Sequence, residues 1–179
     1  MRDGWKPQMK TIAKNHQNCL PHLLRRLNYP NQRYPTSSWG VTFRKLLYKS
    51  IELKKKMCTE DYIKSNQRNI IIQELEQLLD HPPDKQQKEL FSFYKRMKRE
   101  RQTLFVFLFL EQVPFDNNAS ERAIRNVKVK QKISGQFKKV QAAQNFAKIR
   151  SVIDTTIKNG MNVILTLNLI AKFEFLFND

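Results

Sequence analysis

Three observations predict a mainly α-helical chain. Glycine is scarce, with 4 in 179 residues, and most of the 7 prolines gather at Pro30, Pro35, Pro82, Pro83 and Pro114. The chain is thereby divided into long blocks with few breakers, the punctuation expected of helices. Within those blocks apolar residues recur at a three-to-four spacing and leave a charged face opposite.

The elements follow in order. A short helix is expected at 5–14, a short strand around 16–19, and a helix from Pro21 to about Leu27. From Ser38, a suitable N-cap, to Met57, the residues Val41, Leu46, Leu47, Ile51 and Leu53 form an apolar stripe against Arg44, Lys45, Lys49 and Lys54–Lys56. Thr59 to Leu79 repeats the pattern with Ile70, Ile71, Leu75, Leu78 and Leu79. His81-Pro82-Pro83 ends it, because a residue before proline is pushed out of the helical region. A third block from Asp84 carries Leu90, Phe93, Tyr94 and Met97 into the run LFVFLFL at 104–110, which reads equally as a buried strand or the buried end of a helix. Beyond the Val113-Pro114 turn a short helix starts near Asn118, with a strand or loop from Lys128 to Phe137. A helix from Val140 to Lys158 is closed by Asn159-Gly160, and an apolar helix follows from Met161.

Composition narrows the function. The chain has 33 Lys+Arg against 16 Asp+Glu, a net charge of +17. Such an imbalance marks a polyanion partner, with nucleic acid first and an anionic membrane surface second. Membrane attachment is not expected: the most apolar run has seven residues, and the stretch from Met161 is interrupted by Asn162, Asn168, Lys172 and Glu174. No apolar core follows the basic residues at the N-terminus, so no secretory signal is read and the cytoplasm is the expected location. The two cysteines, Cys19 and Cys58, match no zinc spacing; Cys19 and His22 make a C-x-x-H without a second pair.

The segment 113–136, VPFDNNASERAIRNVKVKQKISGQ, carries the chemistry. Glu121 stands at the head of a tract in which every charged residue from Arg122 to Lys139 is basic: Arg122, Arg125, Lys128, Lys130, Lys132, Lys138 and Lys139. A carboxylate that binds a divalent cation, next to cations that hold a phosphate backbone, is the pattern of a metal-dependent nucleic-acid enzyme. Helix chemistry offers plainer roles. Asn118 and Glu121 have capping-box spacing, Glu121 precedes Arg125 by one turn, and the tract alone is a solvated basic face. Asp116 suits the turn before the helix, and the aromatics of 104–110 read as core.

The string PFDNNASERAIRNVKVKQKISGQF resembles the C-terminal signature of the IS66-type insertion-sequence transposases of the DDE superfamily, and the likeness continues through FAKIRSVIDTTIKNGMNVILTL at 146–167. Asp3 to Tyr29, DGWKPQMKTIAKNHQNCLPHLLRRLNY, is similar to the family's segment that begins with the second triad Asp and runs into C-x-x-H-x-x-R. Carried over, Asp3 matches the second acid, Glu121 the third, and Cys19, His22 and Arg25 the accompanying element; Pro21 departs from the Ala usual there. The resemblance implies a mainly α chain holding a truncated RNase H-like α/β core with a large helical insertion. Residues 1–37 then form the residual core segment with the second Asp, 38–110 the insertion, and 111–179 the catalytic-Glu helix, basic tract and C-terminal helices.

The same resemblance implies DNA cleavage and strand transfer with two Mg²⁺ or Mn²⁺ ions held by Asp3, Glu121 and a first Asp. Arg122, Arg125, Lys128, Lys130 and Lys132 would be on DNA. That first Asp has no match in this sequence, so the chain alone is expected to be inactive: it is either the tail of a reading frame split by a frameshift or internal start, working with its missing N-terminal part or as a homo-oligomer, or a degraded element. The implied partners are transposon ends and target DNA, at the bacterial nucleoid. The alternatives are a non-enzymatic basic DNA-binding remnant and a destabilised product without function.

Overall fold

The computed structural model describes residues 12–56 and 66–176, with side chains up to 172. Asp3, Cys58 and the start of the expected 5–14 helix lie outside these residues, and 12–14 are not helical. The chain is mainly helical, and among the described residues there is no strand. Seven α-helices are described: α1 (Leu20–Arg33), α2 (Ser38–Lys55), α3 (Gln67–Asp80), α4 (Lys88–Arg99), α5 (Asn118–Ser134), α6 (Val140–Lys158) and α7 (Val163–Leu176). They fall into two compact units, Met1–Asn117 and Asn118–Asp179.

In the first unit α1 to α4 enclose one apolar core. Trp39 and Phe43 of α2 stack at 5.1 Å, and Phe93 of α4 meets Phe43 edge-on at 5.6 Å. Such pairs add about 0.5–1.5 kcal/mol beyond burial. Their polar ends finish a neighbouring helix: Trp39 Nε1 donates to Leu78 O and Tyr94 Oη to Leu79 O, each at 3.0 Å, which satisfies carbonyls that α3 leaves open at its end. Gly40 lets α1 and α2 approach. A Cβ there would sit 2.0 Å from Asn31 Oδ1, and Asn31 Nδ2 donates to Gly40 O.

Three expectations change. α1 runs to Arg33, past the expected end at Leu27, and takes Pro30 into its last turn; Pro21 lies in its first turn, where its missing N–H costs no helical bond. The third block stops at Arg99. The aromatic run that follows is neither strand nor helix end but two 3-10 turns, Arg101–Thr103 and Val106–Leu108, with Leu104, Phe105, Phe107 and Leu108 buried in the core. Lys54 Nζ holds this loop by donating to Phe107 O at 2.8 Å and Glu111 O at 3.0 Å. The expected strand at 16–19 is an extended strap: Asn18 N–H donates to Thr103 O at 2.8 Å and Leu20 N–H to Phe115 O at 2.9 Å. Gln17 Nε2 donates to Leu104 O while its Oε1 accepts from Phe107 N–H.

In the second unit α5 does not give way at Lys128 to a strand or loop. It continues to Ser134 and stops at Gly135, whose φ of +70° favours glycine. Gly160, at φ +67°, closes α6 as its sequence indicates. Asn162 Oδ1 then accepts from Ile164 and Leu165 N–H and starts α7.

Candidate functional site

Glu121 lies in the first turn of α5 and is exposed, a position where the helix dipole favours an acid. It is the one acid of α5. Asn118, expected as the cap, is the first helical residue, so Asn117 occupies the position ahead of it. Asn117 is fixed inside the first unit, where its Oδ1 accepts from Cys19 Sγ at 2.9 Å. His22 Nδ1 lies 3.1 Å from the same sulfur, a distance at which an Nδ1–H tautomer donates to it. The C-x-x-H pair therefore braces the turn that leads into Glu121's helix. Cys19 is buried, and Arg25, the third member of the element, is exposed on α1. Asp116 is half-buried in the same turn.

The helix also sorts the basic tract. At about 100° per residue, Arg122, Arg125, Lys128 and Lys132 fall within one third of the α5 circumference, and all four are exposed. Lys130 points away from that stripe and donates from Nζ to Ser134 Oγ at 3.0 Å. What reads in sequence as one tract is thus a four-residue stripe with Lys130 set apart.

Between α5 and α6 lies an open groove of about 500 Å³, lined among others by Arg122, Ala123, Asn126, Arg150, Asp154 and Lys158. Arg150 crosses it. Its Nη2 pairs with Asp154 Oδ1 at 2.6 Å, and with the Asn126 amide oxygen turned towards it the same guanidinium donates at 2.6 Å from Nη2 and 3.1 Å from Nε. Sequence reasoning missed this clasp. The i,i+4 spacing of Arg150 and Asp154 was a usable signal for half of it, whereas nothing near Asn126 points to a partner on another helix.

Among the described residues no three of His, Cys, Asp and Glu come together as a metal site requires. One carboxylate does not satisfy the near-octahedral oxygen shell of Mg²⁺, and Asp154 is occupied by Arg150. The described residues by themselves therefore do not make a Mg²⁺ site. Asp3, the other acid singled out, lies outside them. No described helix is long and apolar enough to cross a membrane.

Comparison with protein families adds one finding: the model described as "Transposase IS66 family" matches residues 1–145. The match takes in Asp3, the C-x-x-H-x-x-R element, the helices of the first unit and all of α5, and ends within the first turns of α6. No curated protein matches the chain, and no solved structure does.

Proposed function

The chain belongs to the IS66 transposase family, and from that premise we propose that it takes part in the DNA cleavage and strand transfer that move an insertion sequence. The observation that carries this is Glu121 at the head of a helix whose exposed stripe is Arg122, Arg125, Lys128 and Lys132. The stripe is suited to hold a phosphate backbone by charge, independent of base sequence.

In this reading Asp3 and Glu121 are two of the three carboxylates of a DDE site that uses Mg²⁺ or Mn²⁺, and the first unit's helices 38–110 are an insertion into an RNase H-like core. Arg122, Arg125, Lys128 and Lys132 position transposon-end or target DNA, and Lys130 adds positive charge from another face of α5. Cys19 and His22 act at one remove, as residues that fix Asn117. The Asn126–Arg150–Asp154 clasp orients α6 on α5.

The test is nicking of supercoiled plasmid with Mg²⁺ or Mn²⁺, comparing the protein with its Glu121→Gln and Asp3→Asn variants, alongside DNA binding. Whatever nicking the unaltered chain shows, alone or joined by a partner that supplies the remaining carboxylate, both variants are expected to lose it and to keep their affinity for DNA. Nicking that persists unchanged in Glu121→Gln removes that residue from the mechanism. Salt-sensitive DNA binding that needs no metal, with no nicking by any form even when a partner supplies the remaining carboxylate, selects the non-enzymatic reading.

A further inference from the structure

A second basic surface lies in the first unit, on elements that none of the site residues above occupy. A groove of about 480 Å³ runs between α1 and α4, and its lining includes Arg26, Tyr29, Ser92, Lys95, Arg96 and Arg99 together with Glu89. Four cations thus share the lining with one acid, and that acid is engaged: Arg33 Nε lies 3.2 Å from Glu89 Oε1, and Tyr34 Oη donates to Glu89 Oε2. On α4, Ser92, Lys95, Arg96 and Arg99 share one face by their three-to-four spacing, and Arg26 answers them from α1.

The groove is built from beneath. Glu100, only 5% exposed, accepts from Arg96 Nε at 3.2 Å and from Asn18 Nδ2 at 3.0 Å, and its Oε1 lies 3.6 Å from Nη2 of Arg99, whose side chain is 72% exposed. The bond uses Nε, so the two terminal nitrogens of the Arg96 fork are not spent on it. A buried carboxylate that fixes a guanidinium at a groove wall lowers the entropy lost when that fork takes up a phosphate. Tyr29 is 57% exposed, while Pro30 and Phe93 are buried. The groove wall thus presents Arg, Lys, Ser and Tyr donors, the set that contacts phosphate and sugar, and lacks the protruding aliphatic side chains by which a protein seats in a lipid surface.

We propose that the α1–α4 groove of the first unit is a phosphodiester-binding surface that holds a DNA backbone through Arg26, Lys95, Arg96 and Arg99. Identifying the polyanion as DNA rests on the transposase reading; the groove's preference for phosphate rests on its own geometry.

The experiment is fluorescence anisotropy of the full chain with a duplex of arbitrary sequence over a series of salt concentrations. One variant combines Arg26→Ala, Lys95→Ala and Arg99→Ala, which are exposed and leave the Arg96–Glu100 pair in place; a second combines Arg122→Ala, Arg125→Ala and Lys128→Ala. The groove variant is expected to weaken binding and to reduce the slope of log K against log salt by about 2–3, near 0.9 for each phosphate that is no longer neutralised. Thermal melting accompanies each form. If the triple variant does not fold, Lys95→Gln alone carries the test, with a slope reduced by about 1.

A groove variant with unchanged slope and affinity, beside an α5 variant that loses both, overturns the groove while leaving the proposed function intact. Failure of the unaltered chain to bind the duplex overturns both. Vesicles of phosphatidylcholine and phosphatidylserine form the last arm: a groove variant that loses vesicle binding but keeps its DNA slope overturns the proposal in favour of a membrane surface.

Discussion

Glu100→Ala is the substitution whose cost the structure defines most closely. The side chain is 4% exposed, with Arg96 Nε at 3.2 and 3.3 Å from its two oxygens and Asn18 Nδ2 at 3.0 Å. Truncation leaves the buried Asn18 amide without this acceptor and removes the counter-charge of Arg96 and of the more exposed Arg99, 3.6 Å away. Removing one partner of a buried pair costs about 3–5 kcal/mol. Because Arg96 is 20% exposed and water reaches it in part, the lower end applies, about 3 kcal/mol. Set against a total of about 5–15 kcal/mol for a domain, that is a large fraction, and it lowers the melting temperature by roughly 10 °C for a unit of this size. Urea unfolding followed by circular dichroism measures it, with the m-value as a check that the unfolded state is unchanged. Arg96→Ala and the double variant complete a cycle, with an expected coupling of about 1–3 kcal/mol. A single-variant loss below about 0.5 kcal/mol, the range of ordinary surface changes, refutes the argument that Glu100 ties the 17–20 strap to α4.

Three further outcomes follow from the same structure. Phe107→Ala removes a fully buried ring from the aromatic loop and is expected to cost about 3–5 kcal/mol in urea unfolding; a cost under about 1 kcal/mol means the loop is not core. Cys19, 2% exposed, should resist a thiol reagent in the folded chain and react in urea, and Cys19→Ala should cost about 1 kcal/mol through the lost bond to Asn117; fast labelling without urea contradicts the brace. The Tyr34 hydroxyl first, then the hydrogen bond from Glu89's own backbone N–H and, after these, the Arg33 charge hold the Glu89 carboxyl below its ordinary value, so its contribution is present above the unfolded pKa and is lost as pH falls through the folded one; Tyr34→Phe should raise the Glu89 midpoint in an NMR titration, and no movement assigns the shift elsewhere.

The legible parts of the fold were those in which local signals agree. α2 starts where its apolar stripe does, although Ser38, read as the cap, is its first helical residue and Ser37 holds the cap position without a side-chain cap bond; α3 ends at Asp80 because two prolines follow His81, and α6 closes at Gly160 because a left-handed residue was required there. The aromatic run at 104–110 was illegible because most of it is buried in 3-10 turns, which have no periodicity long enough to read, and because its Phe107 and Leu110 carbonyls are satisfied by Lys54, 53 and 56 positions away. α5 was cut short for a related reason. Its apolar residues include Ile124, Val129 and Ile133, which are 53%, 46% and 79% exposed, so no buried stripe marks its later turns. At the site, the string around Glu121 was legible as a string. The brace of Cys19 on Asn117 spans 98 positions, and no spacing rule connects residues so far apart.

The exposure along α5 leads to the last prediction, which concerns how Glu121's helix is held. The described part of the first unit has a core of twenty buried apolar side chains. Among the described side chains of the second unit Thr156 alone is buried, and Val140, Ile164 and Leu165 are 76%, 70% and 63% exposed. A helix of this length without tertiary burial is marginal in water, because nucleation is costly and propagation alone barely exceeds it. Within the unit α5 and α6 share the Arg150 clasp, and Phe137 meets Phe146 at 5.5 Å, interactions worth a few kcal/mol at most. A chain of residues 118–179 is therefore expected to show partial helicity that melts broadly, whereas residues 1–117 should keep a cooperative urea transition. A sharp transition in 118–179, with the m-value of a fully folded domain of its size, refutes this. If the expectation holds, the order of Glu121's helix is not intrinsic to its sequence. Part of it then comes through Asn117, which Cys19 holds in the stable unit one residue ahead of α5.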